Sequence, residues 1–329
     1  MSGDEELMVI WWKNGKLWPW LWVLFIAGLV VFLSCTAQMP AAPPPPTATP
    51  PPPGPDPAKL GSVERDLTYG NAAGVDLKLD IYYPKTADGP VPAVVYVHGG
   101  GWTAGEKSTG AGEVEIPELV SRGYLVASIN YRLAPEHKFP AQIEDVKCAI
   151  RFLRANASRY GIDPERIGAW GGSAGGHLVA LLGTTDASAG WDGSGGYAGE
   201  SSRVKAVVDL FGPTDLTAIV PGTSNASTLE NVFGTSDPRS EIAKLASPVT
   251  HVSADAPPFL IIHGDKDNVV PLRQSEILYD RLVAAGVPAT LVVVKNGGHG
   301  FSAVAGSVMS PTRSEITSII ADFFDKHLK

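Results

Sequence analysis

Short runs of consecutive apolar residues alternate along most of this chain with longer segments of helical periodicity. Ala93–Val97 reads AVVYV, and Leu125–Ile129, Val204–Leu210, Phe259–Ile262 and Leu291–Val294 have the same character. Such runs predict strands buried on both faces, as in a parallel sheet. Ile167 opens another run, which passes through clustered glycines into a helical pattern. Asp66–Tyr69 and Val75–Tyr83 alternate apolar and polar positions, which predicts edge strands with one solvated face. Between these lie helical patterns over Ile143–Tyr160, Gly176–Leu182, Arg273–Ala285 and Arg313–His327. The alternation predicts an α/β fold with a mostly parallel sheet and helices on both faces.

The first sixty residues follow other rules. Residues 1–16 are polar and mixed in charge, ending in Lys13 and Lys16, and are read as a cytoplasmic N-region by the positive-inside rule. Leu17–Leu33 carries no charge and is slightly short of the about 20 apolar residues of a membrane-spanning helix. It ends in Leu33-Ser34-Cys35, which resembles a bacterial lipoprotein cleavage box with Cys35 as the lipid-bearing residue. Segment 17–35 is therefore either a lipoprotein signal or an uncleaved membrane anchor. Residues 36–60 contain PAAPPPPTATPPPPGPDP, an extended stalk of about 3.1 Å per residue with no packed core. Both readings imply an exported, membrane-tethered protein whose folded domain, residues 61–329, lies outside the cytoplasm.

Composition narrows the function classes. Hydrophobic residues make up 44% of the 329, enough for a full core, and the net charge of -8 argues against a nucleic-acid partner. The two cysteines, Cys35 and Cys148, form neither metal-ligand spacing nor a disulfide framework. Cys148 falls within a helical pattern and reads as a small buried hydrophobe.

Chemistry gathers at the ends of the apolar runs. Gly171-Gly172-Ser173-Ala174-Gly175 matches G-x-S-x-G, which lifts a serine onto a sharp strand-to-helix turn. The amide of Ala174 then faces a developing oxyanion from a helix N-terminus. His98-Gly99-Gly100-Gly101-Trp102 follows the AVVYV run, and glycines there let the amides of Gly100 and Gly101 approach a substrate. His98 reads as a brace for that loop. After Phe259–Ile262 come Asp265 and Asp267, and after Leu291–Val294 comes His299. The order serine, aspartate, histidine is that of α/β-hydrolases. Asp265, Asp267 and, more remotely, Asp215 are the candidate acids.

These motifs, with YRLAPEHKFPAQIEDV at Tyr131–Val146 and HGDKDNVVP at His263–Pro271, resemble those of serine esterases of the α/β-hydrolase superfamily. The chain is similar to the acetyl esterase and hormone-sensitive-lipase-like branch and to the feruloyl- and acetylxylan-esterase-like group. The resemblance implies an eight-stranded, mostly parallel sheet with a small or absent cap. It implies Ser173, Asp267 and His299 as the triad, with Asp267 chosen by its register in D-x-x-V-P. Gly100, Gly101 and Ala174 would form the oxyanion hole, and no metal or organic cofactor is implied. Pro135 and Glu136 would shape a loop near that hole, and His177 would pack beneath Ser173. Hormone-sensitive-lipase relatives usually carry an acidic residue where Gly172 stands, and an N-terminal cap where here only a short strand-forming segment separates the stalk from His98; both departures favour the second group.

The expected substrate is a short-chain acyl or small aromatic ester, acetyl or feruloyl, in a small molecule or carbohydrate. Trp102 and Phe301, beside the glycine loop and His299, and Trp191 and Tyr197, in the polar stretch Asp186–Ser202, are expected to line its pocket. The stretch Gly212–Val252 could supply a small lid. A prolyl-oligopeptidase-like peptidase and a catalytically silent binding module are the alternatives, and the sequence leaves the oligomeric state open.

Overall fold

The computed structural model describes residues 54, 56–218 and 224–329. Residues 1–35, with Cys35, and most of the linker lie outside the described residues. Eight strands form one sheet: β1 (Val63–Ala72), β2 (Val75–Tyr82), β3 (Val91–Val97), β4 (Leu125–Ile129), β5 (Ile162–Gly172), β6 (Ala206–Leu210), β7 (Phe259–Gly264) and β8 (Ala289–Val294). Their order is β1-β2-β4-β3-β5-β6-β7-β8. β1 and β2 pair antiparallel with each other, as do β2 and β4, and every pairing from β4 to β8 is parallel. The expected eight-stranded, mostly parallel sheet is what the chain forms.

The helices are α1 (Ile116–Ser121), α2 (Ala141–Ala155), α3 (Ala157–Tyr160), α4 (Ala174–Thr184), α5 (Ser224–Phe233), α6 (Glu241–Leu245), α7 (Arg273–Ala284) and α8 (Arg313–Leu328). One core packs Ile143, Val146 and Ile150 of α2, Leu178 and Leu181 of α4 and Leu278 of α7 against the sheet. The other packs Leu119 of α1 and Ile316, Ile320 and Phe324 of α8 against the opposite face. Cys148 is buried and free, and burial pushes its thiol up to about 11.

Some expectations shift. The single helix expected over Ile143–Tyr160 breaks at Asn156, which leaves helical geometry and donates from its side chain to Phe152 O at 2.8 Å. β2 is interior, not an edge, because β4 takes its second side. β8 is an edge strand, as β1 is at the other side, and pairs only with β7, so most of its side chains are partly exposed rather than buried. Among the described residues no helix is long and apolar enough to cross a membrane.

The topology decides where a ligand can sit. The chain leaves β3 for β4 on one side and returns to β5 on the other. That reversal opens a crevice beyond the C-terminal ends of β3 and β5, where open α/β sheets bind ligands. The glycine loop follows β3, and Ser173 follows β5.

Candidate active site

Ser173 has φ 56 and ψ -119, a backbone conformation that side-chain-bearing residues rarely adopt. The sharp turn from β5 into α4 imposes it, and small neighbours make it possible. A side chain at Gly175 would collide with the Val97 carbonyl of the adjacent strand. Ser173 N donates to Leu210 O at 2.9 Å, and His177 N to Ser173 O at 3.0 Å, so the strained turn is tied to β6 and to its own helix.

Ser173, Asp267 and His299 come together from three different strand ends. Ser173 Oγ lies 3.0 Å from His299 Nε2, and His299 Nδ1 lies 2.7 Å from Asp267 Oδ2. With Nδ1–H donating to the carboxylate, Nε2 is left to accept the serine proton. The side chain of Asp267 is fully buried, and its Oδ1 accepts from the amides of Val269 at 2.8 Å and Val270 at 2.9 Å. Burial alone would raise its carboxyl. Hydrogen bonds from His263, His299 and those two amides outweigh burial and hold it well below the usual carboxylate range.

The other two acids point elsewhere. Asp265 Oδ1 accepts from Asn296 N at 2.7 Å, and its second oxygen lies 3.5 Å from Lys295 Nζ. Asp215 caps a turn, accepting from Thr217 N at 3.0 Å. His263, which the sequence reading left without a role, supports Asp267 from behind. Its Nε2 donates to Val270 O at 2.8 Å and lies 3.3 Å from Asp267 Oδ2, while Nδ1 accepts from Ser275 Oγ at 2.7 Å.

The glycine loop turns tightly. Gly100 has φ +115, and a side chain there would run into the Ala104 carbonyl. Ala104 N donates back to Gly100 O at 3.0 Å. Among the turn, loop and cap hydrogen bonds of the described residues, the amides of Gly100, Gly101 and Ala174 do not appear as donors. His98 is buried, stacks on the Tyr131 ring at 4.3 Å and donates from Nδ1 to Gly99 O at 2.7 Å. Burial depresses its pKa, so it stays neutral as a brace.

The segment after β4 supports this loop through residues other than those expected. Pro135 and Glu136 are exposed. Tyr131 instead donates its hydroxyl to His98 O at 3.0 Å, and Ala134 N donates to Trp102 O at 2.9 Å. Buried Arg132 fixes the segment by donating to Asp145 Oδ1 at 2.7 Å and to Glu144 at 3.0 Å. His177 sits beneath the turn, accepting from Trp102 Nε1 at 3.2 Å and donating from Nε2 to Ala246 O at 2.7 Å. Its full burial pushes its pKa down to about 4.

Ser173 and His299 open into a cleft of about 570 Å³, lined also by Gly100, Gly101, Trp102, Phe211, Leu229 and Val270. Of the four expected pocket residues, only Trp102 is in its lining. Phe301 is buried behind the site, against Phe211 at 4.8 Å and under the Arg313 guanidinium. Trp191 and Tyr197 are carried away because their loop is pinned to α2. Lys147 Nζ donates to Asp186 O at 2.8 Å and Arg151 Nη2 to Asp192 O at 2.6 Å, while Arg154 bonds Ser201 O and Arg203 O. Tyr197 packs on Phe152, and Trp191 between Phe139 and His251.

Gly212–Val252 does reach the cleft. Thr228 and Leu229 of α5 line it, and Phe233 packs on Trp102 at 5.4 Å. The structure also explains the glycine before the nucleophile. A side chain at Gly172 would begin 3.1 Å from the ring of Phe211. Phe211 holds φ 45 and lies 4.8 Å from the His299 ring, so an aromatic ring already packs where a side chain at position 172 would extend.

The profile of the BD-FAE family matches residues 79–282, from β2 into α7. The chain belongs to the BD-FAE family. This BD-FAE chain is 35% identical over 232 residues to "Esterase LipC" of Mycobacterium tuberculosis, covering 69% of the chain and 57% of that protein. It is 32% identical to "Probable carboxylic ester hydrolase LipM" of the same organism, over 79% of the chain and 61% of the relative. The chain thus spans about three fifths of the length of these curated relatives. Among solved structures, a truncated carbohydrate esterase from gut microbiota superposes with TM-score 0.69 at 35% identity, over 83% of this chain and 99% of that one. Esterase Est2 of Thermogutta terrifontis, with propionate bound, superposes with TM-score 0.65 at 28% identity, over 80% and 93%. The BD-FAE chain has the α/β-hydrolase fold of these esterases. Among its described residues no group of His, Cys, Asp or Glu is placed to hold a metal ion.

Proposed function

We propose that this protein is a serine carboxylesterase that removes short acyl groups, acetyl above all, from small-molecule or carbohydrate alcohols. The observation that carries the reading is the hydrogen-bonded line Ser173–His299–Asp267 opening into the cleft beside the glycine loop. His299 Nε2 takes the Ser173 proton as Oγ bonds to the ester carbonyl carbon, while Asp267 stabilises the imidazolium. The amides of Gly100, Gly101 and Ala174 hold the oxyanion. The C–O bond to the alcohol then breaks, and the alcohol oxygen takes the proton from Nε2. Water, deprotonated by His299, releases the acid from the acyl-enzyme.

Short acyl groups are supported by the cleft's size and walls. About 570 Å³ must serve both the acyl and the alcohol halves, between Phe211, Pro213, Leu229 and Val270. Est2, a structural neighbour, has been solved with propionate and with butyrate bound, and another neighbour is a carbohydrate esterase. On p-nitrophenyl esters from acetate to palmitate, kcat/KM is expected to peak between acetate and butyrate and to fall steeply beyond octanoate. A peak at laurate or longer would overturn the short-acyl reading.

The N-terminal pattern supports an exported, membrane-tethered enzyme, with the proline stalk as spacer. Full-length protein is expected in the membrane fraction of a bacterial host. Cys35→Ser separates the two tethers: release after processing means lipidation at Cys35, and retention means an uncleaved helix. Full-length protein found in the cytosol would refute both.

A further inference from the structure

Trp191, displaced from the catalytic cleft, lines a second one of about 450 Å³ together with Asp186, Arg203, His251, Ser253 and Asp255. The two clefts lie at opposite ends of α4. Ser173 precedes its first turn, and Gly183, Thr184 and Thr185 at its end line the second cleft, about 16 Å away at 1.5 Å per residue. The two linings share no residue.

The second cleft is fixed by the protein's own contacts. Lys147 holds Asp186 O at 2.8 Å and Arg151 holds Asp192 O at 2.6 Å, so Trp191 stands on a loop anchored on both sides. Its ring meets Phe139 at 5.1 Å and His251 at 5.4 Å, both nearly perpendicular, and remains partly exposed. His251 Nε2 donates to Leu245 O at 2.6 Å. Arg203 is positioned by donating to the Asp255 carbonyl. Among the described residues, the Asp255 carboxylate and the Ser253 hydroxyl make no hydrogen bond or ion pair. A preformed cleft with unspent polar groups binds at a lower ordering cost than a loop that must fold around its ligand.

The lining selects the ligand class. Two carboxylates against one guanidinium disfavour an anion. The polar walls disfavour a lipid chain. An indole beside hydrogen-bonding side chains suits a neutral ring with an apolar C–H face and hydroxyls at its rim. Arg203 and Asp255 also line an adjoining depression of about 540 Å³, so the groove is longer than one ring needs. We propose that this groove is a second, non-catalytic binding site for a polysaccharide of pyranose units, with Trp191 as the stacking surface and Arg203, Ser253 and Asp255 as hydroxyl partners. It rests on the carbohydrate-ester reading above for its choice of ligand, and adds a site that needs no ester.

Affinity electrophoresis of the full chain tests it, in gels containing soluble unesterified xylan, mannan or mixed-linkage β-glucan. At least one polymer is expected to retard the protein. In that gel, Trp191→Ala and Asp255→Ala should each weaken binding about fivefold or more, while p-nitrophenyl acetate turnover stays within about twofold of wild type. Asp255 is exposed, so its substitution keeps the test valid if Trp191→Ala does not fold. No retardation by any of the three polymers, or unchanged retardation of Asp255→Ala and of folded Trp191→Ala, would overturn the proposal. Absence of p-nitrophenyl acetate turnover in wild type would instead defeat the esterase reading, which the gels do not measure.

Discussion

Ser173→Ala is expected to lower ester turnover by about 10⁴-fold or more. The serine oxygen is the atom that bonds to the acyl carbon, and among the described residues Ser173 supplies the protein hydroxyl within reach of His299 Nε2. What survives its removal is water attack assisted by the glycine-loop amides and by binding, a small remainder in enzymes of this kind. His299→Ala should cost nearly as much, and the double variant little more, because the two side chains act on one proton. An alanine side chain is smaller than the serine it replaces and fits the same turn, so the Ser173→Ala variant should fold and bind ester normally. A serine-directed phosphonate should label wild type and leave Ser173→Ala unlabelled. Retention of a tenth of wild-type turnover, or phosphonate labelling of Ser173→Ala, would end the mechanism proposed here.

How much of this was legible in the sequence depends on where each contact originates. The strand-end positions of Ser173, Asp267 and His299 were legible because each follows an apolar run, and parallel strands deliver their C-terminal ends to one edge. Leu125–Ile129, an apolar run interrupted only by Ser128, coincides with β4, whereas Leu291–Val294 begins two residues inside β8. The fate of Trp191 and Tyr197 was not legible. It is set by Lys147, Arg151 and Arg154 on one face of α2, whose partners are mostly backbone carbonyls, and carbonyls carry no sequence signal. Phe211 left only an indirect trace. Gly172 showed that a side chain was missing before the nucleophile, but not that a ring from the end of β6 had taken the space. Nor does the hydrophobic pattern alone tell an edge strand from an interior one: β8, an apolar run, lies at an edge, and β2, an alternating segment, is interior.

Asp267→Asn is expected to cost about 10⁴-fold in kcat, and Asp265→Asn less than about threefold. The two residues are neighbours in sequence with the same chemistry, so the ranking tests geometry alone. Oδ1 of Asp267 accepts from two backbone amides, Val269 at 2.8 Å and Val270 at 2.9 Å. An asparagine there must keep its carbonyl oxygen in that position, since an NH2 group facing two N–H donors would be repelled. Its NH2 group then occupies the Oδ2 position, 2.7 Å from His299 Nδ1. A donor facing Nδ1 forces the ring into the tautomer that carries its proton on Nε2. That nitrogen, 3.0 Å from Ser173 Oγ, can no longer accept the serine proton. The loss is a wrong tautomer in an intact site, worth about 5 kcal/mol of transition-state stabilisation. Asp265 bonds Asn296 N and Lys295 on the flank of the same turn, where an amide oxygen can replace a carboxylate oxygen. The hydrogen bonds to Asp267 also hold it ionised well below the usual carboxylate range. Any wild-type activity lost between about pH 5 and 7 therefore belongs to another group, and the Asp267→Asn deficit should persist throughout that window. Steady-state kcat of both variants on p-nitrophenyl acetate from about pH 5 to 8 decides the matter. If Asp265→Asn proved the crippled variant and Asp267→Asn the active one, the triad acid would be Asp265, and the 2.7 Å contact between Asp267 and His299 would have no part in the chemistry.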